Sequence, residues 1–584
     1  MEGEFSFRTR EKTIERFRNE TFDLLVVGGG ITGAAVARDA VSRGLKVALV
    51  EKNDFAFGTS SRSSKLIHGG LRYLENFEFG LVFEALAERA LLLKTVPALV
   101  RPLPFYLPVY AGESKGRGIL GLGLWLYDLL ALFRTPGFHR SLSKKKILQE
   151  IPFLKEEGLK GGFRYFDASM WDDLLAVEIL RAASGGGAAI ANYVEAIQPL
   201  WNDQLISGFR VRDLESKGKE SEFTIQAART VICVGPWTDQ IGVSLSKNWS
   251  RWLNPSKGVH LIFDLKRIPL PGAMVMSHPE DGRISFVIPR PDFGSGAVIV
   301  GTTDGPTPAE PEKAEISPED VRYLLELLNK YFPSLKLTPA DIISAYVGVR
   351  PLVGATVQKT TDGPADSGGT SLQKVSREHH IDRGPGGTVI VAGGKYTTHR
   401  SMAEEIVDFT LKQWREDSKM NSQVVLPAHI SRSETRTPVN PNATPAIFDR
   451  LETESAAQIS KLPAELIRLY GADAEEIVKI HKETMHQSSA EPPSDPDGFP
   501  LLEAQLRFSI RTQLVMHLED FYLRRTALYG SRQDHGLPWA DRLSRVWADE
   551  RGLSEGHAQA EKMHLEEELR RRSSWSQAVL GANP

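Results

Sequence analysis

One glycine-rich turn, Gly28-Gly29-Gly30-Ile31-Thr32-Gly33, constrains this chain more than any other stretch. It follows a short apolar run, Phe22–Val27, and opens a helix-like segment, Ala34–Ser42; a second run, Lys46–Val50, then ends at Glu51. Strand, glycine turn, helix and strand in this order make one βαβ unit with a parallel sheet. Glycines are needed where the turn is tight and a pyrophosphate must approach bare backbone. The helix that starts there offers unpaired N–H groups to phosphate oxygens. Glu51 sits at the end of the second strand, where a carboxylate accepts both ribose hydroxyls. Glycine turns are common, and by itself this one could be structural with Glu51 a solvated strand end. With strand, helix and acid in register, it reads as a dinucleotide site.

The chain around this unit has 584 residues, enough for two to four domains. Its 71 Lys plus Arg against 74 Asp plus Glu leave a net charge of -3, which argues against a nucleic-acid partner held by a broad basic surface. The single cysteine, Cys233, rules out an internal disulfide and any Cys-based metal cluster, so no metal is expected; it fits a reducing, cytoplasmic setting. Cys233 lies in an apolar strand and reads as core rather than as a redox thiol. Residues 1–20 are charged throughout, unlike a secretory signal. Ile119–Phe133 is the longest apolar window, interrupted by Asp128 and flanked by Lys115, Arg117, Arg134 and Arg140. It is too short to span a bilayer. It fits a buried helix with solvated ends, the reading favoured by the window alone, or a helix resting on an anionic membrane surface.

Further along, 77–100 has helical periodicity, and strands are expected near 190–194, 206–212 and 223–234. KGVHLIFDL, RISFVIPR and GAVIVGTTD, between 257 and 304, predict a second, largely antiparallel sheet. A capped helix follows over Ser317–Tyr331, and the strand Thr388–Ala392 leads through Gly393–His399 into a helix over Ser401–Trp414. Residues 421–447 are rich in Ser, Thr, Pro and Asn and read as a linker or long loop. The expected class is α/β plus α. A Rossmann-like nucleotide domain (about 20–75, 187–245 and 345–415) interleaves with an antiparallel-sheet substrate domain up to 425, and a helical domain covers 426–584.

A second strand–turn segment, Gly393-Gly394-Lys395, far from the first tilts the dinucleotide towards FAD, which is long and is covered by distant parts of a chain. Between the two, GTSSRSSKLIHGGLRY (58–73) brings Ser and Thr residues suited to flavin phosphates. Its Lys65, His68, Arg72 and Tyr73 suit an anion, although such a stretch could also be a solvated loop.

These segments resemble the FAD-dependent glycerol-3-phosphate dehydrogenases. The resemblance rests on GGGITG, SSKLIHGGLRYLE (63–75), KGVH (257–260), VGTTD (300–304), GVRPL (348–352) and GGKYTTHR (393–400), six matches in order. It covers roughly 20–415, with a weaker echo at 506–528. It implies oxidation of sn-glycerol 3-phosphate to dihydroxyacetone phosphate, with hydride passing from C2 to flavin N5. Electrons would go to a membrane quinone, or to oxygen in the family's oxidase branch. It also implies peripheral attachment at the inner face of the cell membrane, and dimers are common in the family. For FAD it carries over Gly28, Gly30, Gly33, Glu51, Ser60, Ser64, Val194, Gly235, Trp237, Gly394, Lys395 and Thr397.

A phosphate of charge near -2 asks for two or more cations. The resemblance offers Arg72, Tyr73, Arg350, Arg377, Lys395 and Lys257 around the substrate, with Arg350 also stabilising the developing alkoxide. Arginine is a poor proton acceptor, so the base is expected to be His260, with His68 as the alternative. The chain departs from bacterial relatives at Arg290, where an aromatic residue is expected, leaving the pocket rim open. Two competing readings are an amine or amino-acid oxidase of the same superfamily, which needs one carboxylate-binding Arg, and a non-catalytic nucleotide-binding module.

Overall fold

The computed structural model describes residues 5–112, 116–216, 218, 221–278, 281–354, 379–422, 424–440, 450, 453, 464–487 and 499–580. The first apolar run becomes β1 (Thr21–Val27), which lies between β2 (Val47–Val50) and β10 (Glu222–Ile232) and is parallel to both. β7 (Ala189–Ala191) adds beyond β2, while β18 (Val389–Gly393) and β17 (His379–Arg383) add beyond β10. β8 (Val194–Asn202) and β9 (Leu205–Asp213) make a hairpin whose second strand pairs with β10.

Burial on both faces explains why β1 reads as a continuous apolar run rather than an alternating one. Leu24 and Val26 face the layer containing α2 (Ile31–Ser42), and Leu25 and Val27 face the opposite layer with Phe17 of α1 (Phe7–Asn19). Small residues Ala34, Ala37 and Ala40 on α2 let it sit close to the sheet and to the helices Asp172–Gly185 and His399–Met420.

The second sheet contains β3 (Leu66–Ile67), β4 (Val100–Tyr110), β5 (Arg140–Leu142), β6 (Leu159–Met170), β11 (Ser256–Asp264) and β12 (Ala273–Ser277). β13 (Ile284–Arg290), β14 (Ala297–Gly301), β15 (Gly305–Pro306) and β16 (Ile342–Arg350) complete it. Its pairings are antiparallel except β12 with β4. The chain enters the first sheet, leaves for the second at β3–β6, returns at β7–β10, leaves again at β11–β16 and ends in the first at β17–β18. The candidate site lies where residues of both sheets meet.

The segment 424–440 carries neither helix nor strand and straps α2. Arg38 Nη2 donates to Thr437 O (3.0 Å), Ser433 Oγ to Asp39 Oδ1 (2.5 Å) and Ser431 N to Arg43 O (3.0 Å). Among the ties between the helices from Ala464 to Leu580 and the nucleotide unit is a buried carboxylate, Asp54. Its two oxygens take Arg525 Nη1 and Nη2 at 2.9 Å each, and Arg524 Nε adds a third bond (2.5 Å). Burial alone would raise this acid, but Arg525 and Arg524 hold it at about 2. A buried cluster of this kind resists breaking, because losing one partner strands the other's charge.

The apolar window at 119–133 forms α4 (Arg117–Leu130) and corrects the reading favoured from sequence. Only Leu124, Tyr127 and Asp128 of α4 are buried; Leu122 is 73% exposed and Trp125 63%, with Ile119, Leu129, Leu132 and Phe133 also open. Asp128 faces inward, accepting the His139 N–H at 3.2 Å with the His139 ring 2.8 Å away. α3 (Phe79–Thr95), beside it, exposes Phe79 and Phe83 on the same side of the chain as Phe77. Among the described residues, no helix is long and apolar enough to cross a membrane.

Candidate active site

A cavity of about 2030 Å³ runs along the junction of the two sheets. Its lining includes the glycine turn, Glu51 and Val194, and also the exposed Phe77, Phe79, Ile119 and Leu122.

The turn is bare for a reason that distances make plain. Gly28 has φ +109°, and a Cβ there would lie 2.5 Å from Cys233 O; a Cβ on Gly33 would lie 1.9 Å from Gly28 O. Gly30 at the head of α2 has no side chain to cap the helix, and Ser60 Oγ does so instead, accepting the Ile31 N–H at 2.9 Å. Glu51 accepts N–H groups of Gly29 (2.7 Å) and Asn53 (2.8 Å), and its carbonyl takes the Val194 N–H (2.8 Å). Burial pushes the Glu51 carboxyl up to about 7, against the pull of those amide hydrogen bonds. Gly235 (φ +55°) and Trp237, after β10, also line the cavity, and Trp237 Nε1 donates to Glu312 (2.8 Å). Gly394 (φ +99°) follows β18, and a Cβ there would meet Met402 Sδ at 2.6 Å. The cradle therefore presents the bare backbone that a long dinucleotide needs. Burial pushes the Cys233 thiol up, in keeping with a core role.

Part of the cavity wall is built on β11 and β16. Strand alternation turns Ser256, Gly258 and His260 towards the cavity, together with Gly348 and Arg350 from the paired strand. Gly258 leaves room for the Arg350 guanidinium, since a Cβ there would lie 2.3 Å from Arg350 Nη2. Arg350 donates to Ser256 Oγ (3.2 Å), Lys257 O (3.2 Å), Thr302 Oγ1 (2.8 Å), Thr303 O (3.1 Å) and Asp304 Oδ1 (3.3 Å). The His260 ring stacks on Tyr346 (4.8 Å, 16°), and its Nε2 shares a hydrogen bond with Ser64 Oγ (2.9 Å). Burial, with the charges of Arg350 and Lys65, pushes His260 down to about 3, so its imidazole is neutral at ordinary pH.

His68, Tyr73, Lys395 and Thr397 also line the cavity. Thr397 Oγ1 bridges the His68 N–H (3.3 Å) and carbonyl (3.4 Å), joining two of the sequence segments, and Lys395 Nζ stands 3.7 Å above the Tyr73 ring.

Other expected residues are not brought together here. Lys257 sits one position out of phase on β11, on the face away from the cavity; its Nζ donates to Asp320 Oδ2 (2.7 Å) and Glu315 O (3.0 Å). Lys65 turns into the core against Asp172 and Asp173. Arg290 is buried outside the cavity wall, paired with both oxygens of Asp292 (2.8 and 2.9 Å) and set beside the stacked Trp171 and Phe293 rings. That settles the open point at the rim. Arg377 and the Arg72 side chain lie outside the described residues. Among the cavity-lining groups missed by the sequence reading are Asp304, though within VGTTD, and Arg283, whose Nη1 donates to Asp304 O (2.6 Å).

The sequence profile of the FAD dependent oxidoreductases matches residues 23–408. The chain belongs to that family. A second profile, the C-terminal domain of alpha-glycerophosphate oxidase, matches residues 442–558. Proteins named aerobic glycerol-3-phosphate dehydrogenase from Staphylococcus aureus, strains USA300 and COL among them, are 38% identical over 409 residues, 70% of this chain and 70% of theirs. Within the family, the chain thus groups with the glycerol-3-phosphate dehydrogenases. The structure of glycerol-3-phosphate dehydrogenase from Bacillus halodurans complexed with FAD superposes with a TM-score of 0.73 and 28% identity, covering 97% of this chain and 98% of that one. The L-alpha-glycerophosphate oxidase of Mycoplasma pneumoniae shares the fold at a TM-score of 0.50 and 17% identity, over 67% of this chain and 95% of its own. FAD is the family's cofactor, and the cradle at Gly28, Gly30 and Glu51 fits it.

The assignment of Glu51 to the ribose carries a pH signature. The folded apoprotein keeps this carboxyl protonated up to about pH 7, well above its unfolded value, whereas ribose hydroxyls donate to the ionised form. FAD binding should release a proton and tighten as pH rises, by about 25-fold between pH 5.5 and 7.5, where one proton is at stake. Fluorescence titration of apoprotein with FAD measures this, and E51Q should flatten the dependence; an equally steep dependence in E51Q would refute the assignment.

Proposed function

We propose that this chain oxidises sn-glycerol 3-phosphate at C2 to dihydroxyacetone phosphate and passes the electrons to a membrane quinone. The observation that carries the reading is the pairing of a fixed guanidinium, Arg350, with a neutral imidazole, His260, on one face of β11–β16 inside the FAD cavity. When bound, FAD supplies the acceptor for the hydride that leaves C2.

The chain's own residues do the rest. Arg350 draws in the anionic substrate and stabilises negative charge developing on the C2 oxygen. Lys395 and Tyr73 flank the substrate from the other wall, with Arg72 and Arg377 as further phosphate ligands. Lys257, bound to Asp320, is left out of this set. His260 accepts the C2 hydroxyl proton; being neutral, it has a lone pair to offer. Burial is the main cause of its low basicity; a phosphate dianion beside it offsets the added push of Arg350, so its proton affinity rises once substrate is seated. His68 remains the second choice for the base. An amino-acid oxidase would need one carboxylate clamp, whereas this cavity also carries Arg283 and Lys395 in its wall.

The expected kinetics separate the two roles. R350Q should raise KM for sn-glycerol 3-phosphate by about 10- to 100-fold, the loss of a charge-assisted bond. H260N should lower flavin reduction at saturating substrate by about 10²–10⁴ with little change in KM. Stopped-flow reduction measures both, and parent-like constants in either variant would remove that residue from the mechanism. With the parent enzyme, reduction of a soluble quinone analogue faster than oxygen consumption is expected; the reverse would make the chain an oxidase.

The quinone reading draws support from Phe77, Phe79, Ile119 and Leu122, exposed apolar residues that line the cavity and include part of the exposed face of α4. Arg117, Arg134, Arg140 and Lys144 around that face favour an anionic leaflet, and attachment at the cytoplasmic side of the cell membrane follows from the proposal. Co-sedimentation with phosphatidylglycerol vesicles should exceed that with phosphatidylcholine and fall sharply in L122E/W125E. Equal pelleting of parent and double variant would exclude α4 as the contact.

A further inference from the structure

α4 has an inner face as well as an outer one, and its Tyr127 reaches the segment His68–Tyr73. The Gly69 N–H donates to Tyr127 Oη at 2.9 Å, and Tyr127 Oη donates to Asp167 Oδ1 and Oδ2 at 2.8 and 2.9 Å. Asp167, on β6, is ion-paired with Arg89 of α3, whose Nη1 also donates to Phe166 O at 2.9 Å. Tyr127, Asp167 and Arg89 are all buried. The packing leaves no slack: a Cβ on Gly69 would lie 2.5 Å from both Tyr127 Oη and Leu86 Cδ2. Gly70 follows with φ +74°, and a Cβ on it would lie 2.3 Å from the Tyr73 ring. On the opposite side, Thr397 Oγ1 brackets the backbone of His68.

We infer that Tyr127 is a positioning residue of the active site: its hydroxyl, set between the Gly69 amide and the Asp167 carboxylate, fixes the backbone that presents His68 and Tyr73 to the cavity. Only a group that accepts and donates at once can join an N–H to a carboxylate, and a phenol does both. Burial and the Asp167 charge push the Tyr127 phenol well above its ordinary value, so it keeps the proton it must donate. Phenylalanine would fill the same space but leave Gly69 its longer bond to Asp167 Oδ1 (3.4 Å) and take one donor from the carboxylate. Tyr73 carries Lys395 over its ring, so loosening the turn disturbs the substrate side of the cavity while the glycine cradle at Gly28–Gly33 stays as it was.

The inference rests on the proposed substrate and is tested apart from it. Y127F should keep its FAD content and raise KM for sn-glycerol 3-phosphate about five- to tenfold, with kcat per flavin changed less than twofold. The dissociation constant of dihydroxyacetone phosphate, read from the perturbed flavin absorbance, should rise in parallel. A merely structural role would lower melting temperature and FAD content yet leave KM per flavin alone; KM and product affinity within twofold of the parent would overturn the inference. Hydrogen exchange on the unaltered holoenzyme needs no variant: the Gly69 amide should exchange as slowly as β6, and exchange at the rate of an open loop would overturn the clamp. If the parent itself failed to bind sn-glycerol 3-phosphate, the proposed substrate would fall while the exchange result still judged Tyr127.

Discussion

A phosphate dianion leaves water for a largely apolar cavity only where cations already stand in the wall, and a cation held there must be fixed without being cancelled. Arg350 is fixed mainly by neutral groups, and its ion pair with Asp304 is longer, at 3.3 Å, than that of Lys257 with Asp320 at 2.7 Å. Four neutral oxygens, from Ser256, Lys257, Thr302 and Thr303, hold its guanidinium, with Asp304 as a fifth acceptor at 3.3 Å. The bare Cα of Gly258 gives it the space to lie along the strand. Lys65 and Lys257 make the contrast. Each is a cation close to the cavity in sequence, yet Asp172 and Asp173 cancel the first and Asp320 the second. Burial keeps His260 neutral, and the same field that recruits an anion adds to it. Binding and proton acceptance therefore depend on one electrostatic arrangement.

The architecture supplies that arrangement by interleaving. Each return of the chain between the two sheets adds one wall: the glycine turn and Glu51 from the first passage, His68 and Tyr73 from the second, His260 and Arg350 from the fourth, Lys395 and Thr397 from the last. Side-chain bridges then lock these distant pieces together, Ser64 to His260 and Thr397 to His68. Asp54 fastens the C-terminal helices to the back of the nucleotide unit.

Much of this was legible because its causes are local. The glycine turn, the second strand and Glu51 form one short unit whose spacing is dictated by backbone geometry, and the strand and helix patterns of the core follow from side-chain periods of two and 3.6. What was not legible depended on direction or on distant partners. Lys257 lies beside Gly258 in sequence, but alternation along β11 sends it to the opposite face. Ser64 lines the cavity, and its bond to His260, 196 positions away, could not be read from its own segment. Arg290 turned out to be a packing residue, since Asp292, Trp171 and Phe293 enclose it. α4 was misjudged because it is apolar almost all round, so composition could not say which side faced inward; Tyr127 and Asp128 decide that through bonds to Asp167 and His139.

The central claim is that the fixed charge around Arg350 and His260 selects a phosphorylated alcohol for oxidation. The most direct measurement is anaerobic mixing of the FAD-loaded protein with sn-glycerol 3-phosphate while flavin absorbance is followed, with glycerol and glycine in parallel. Bleaching by the phosphate ester alone is the result this account predicts. No bleaching by the ester, or bleaching by glycine instead, would contradict it.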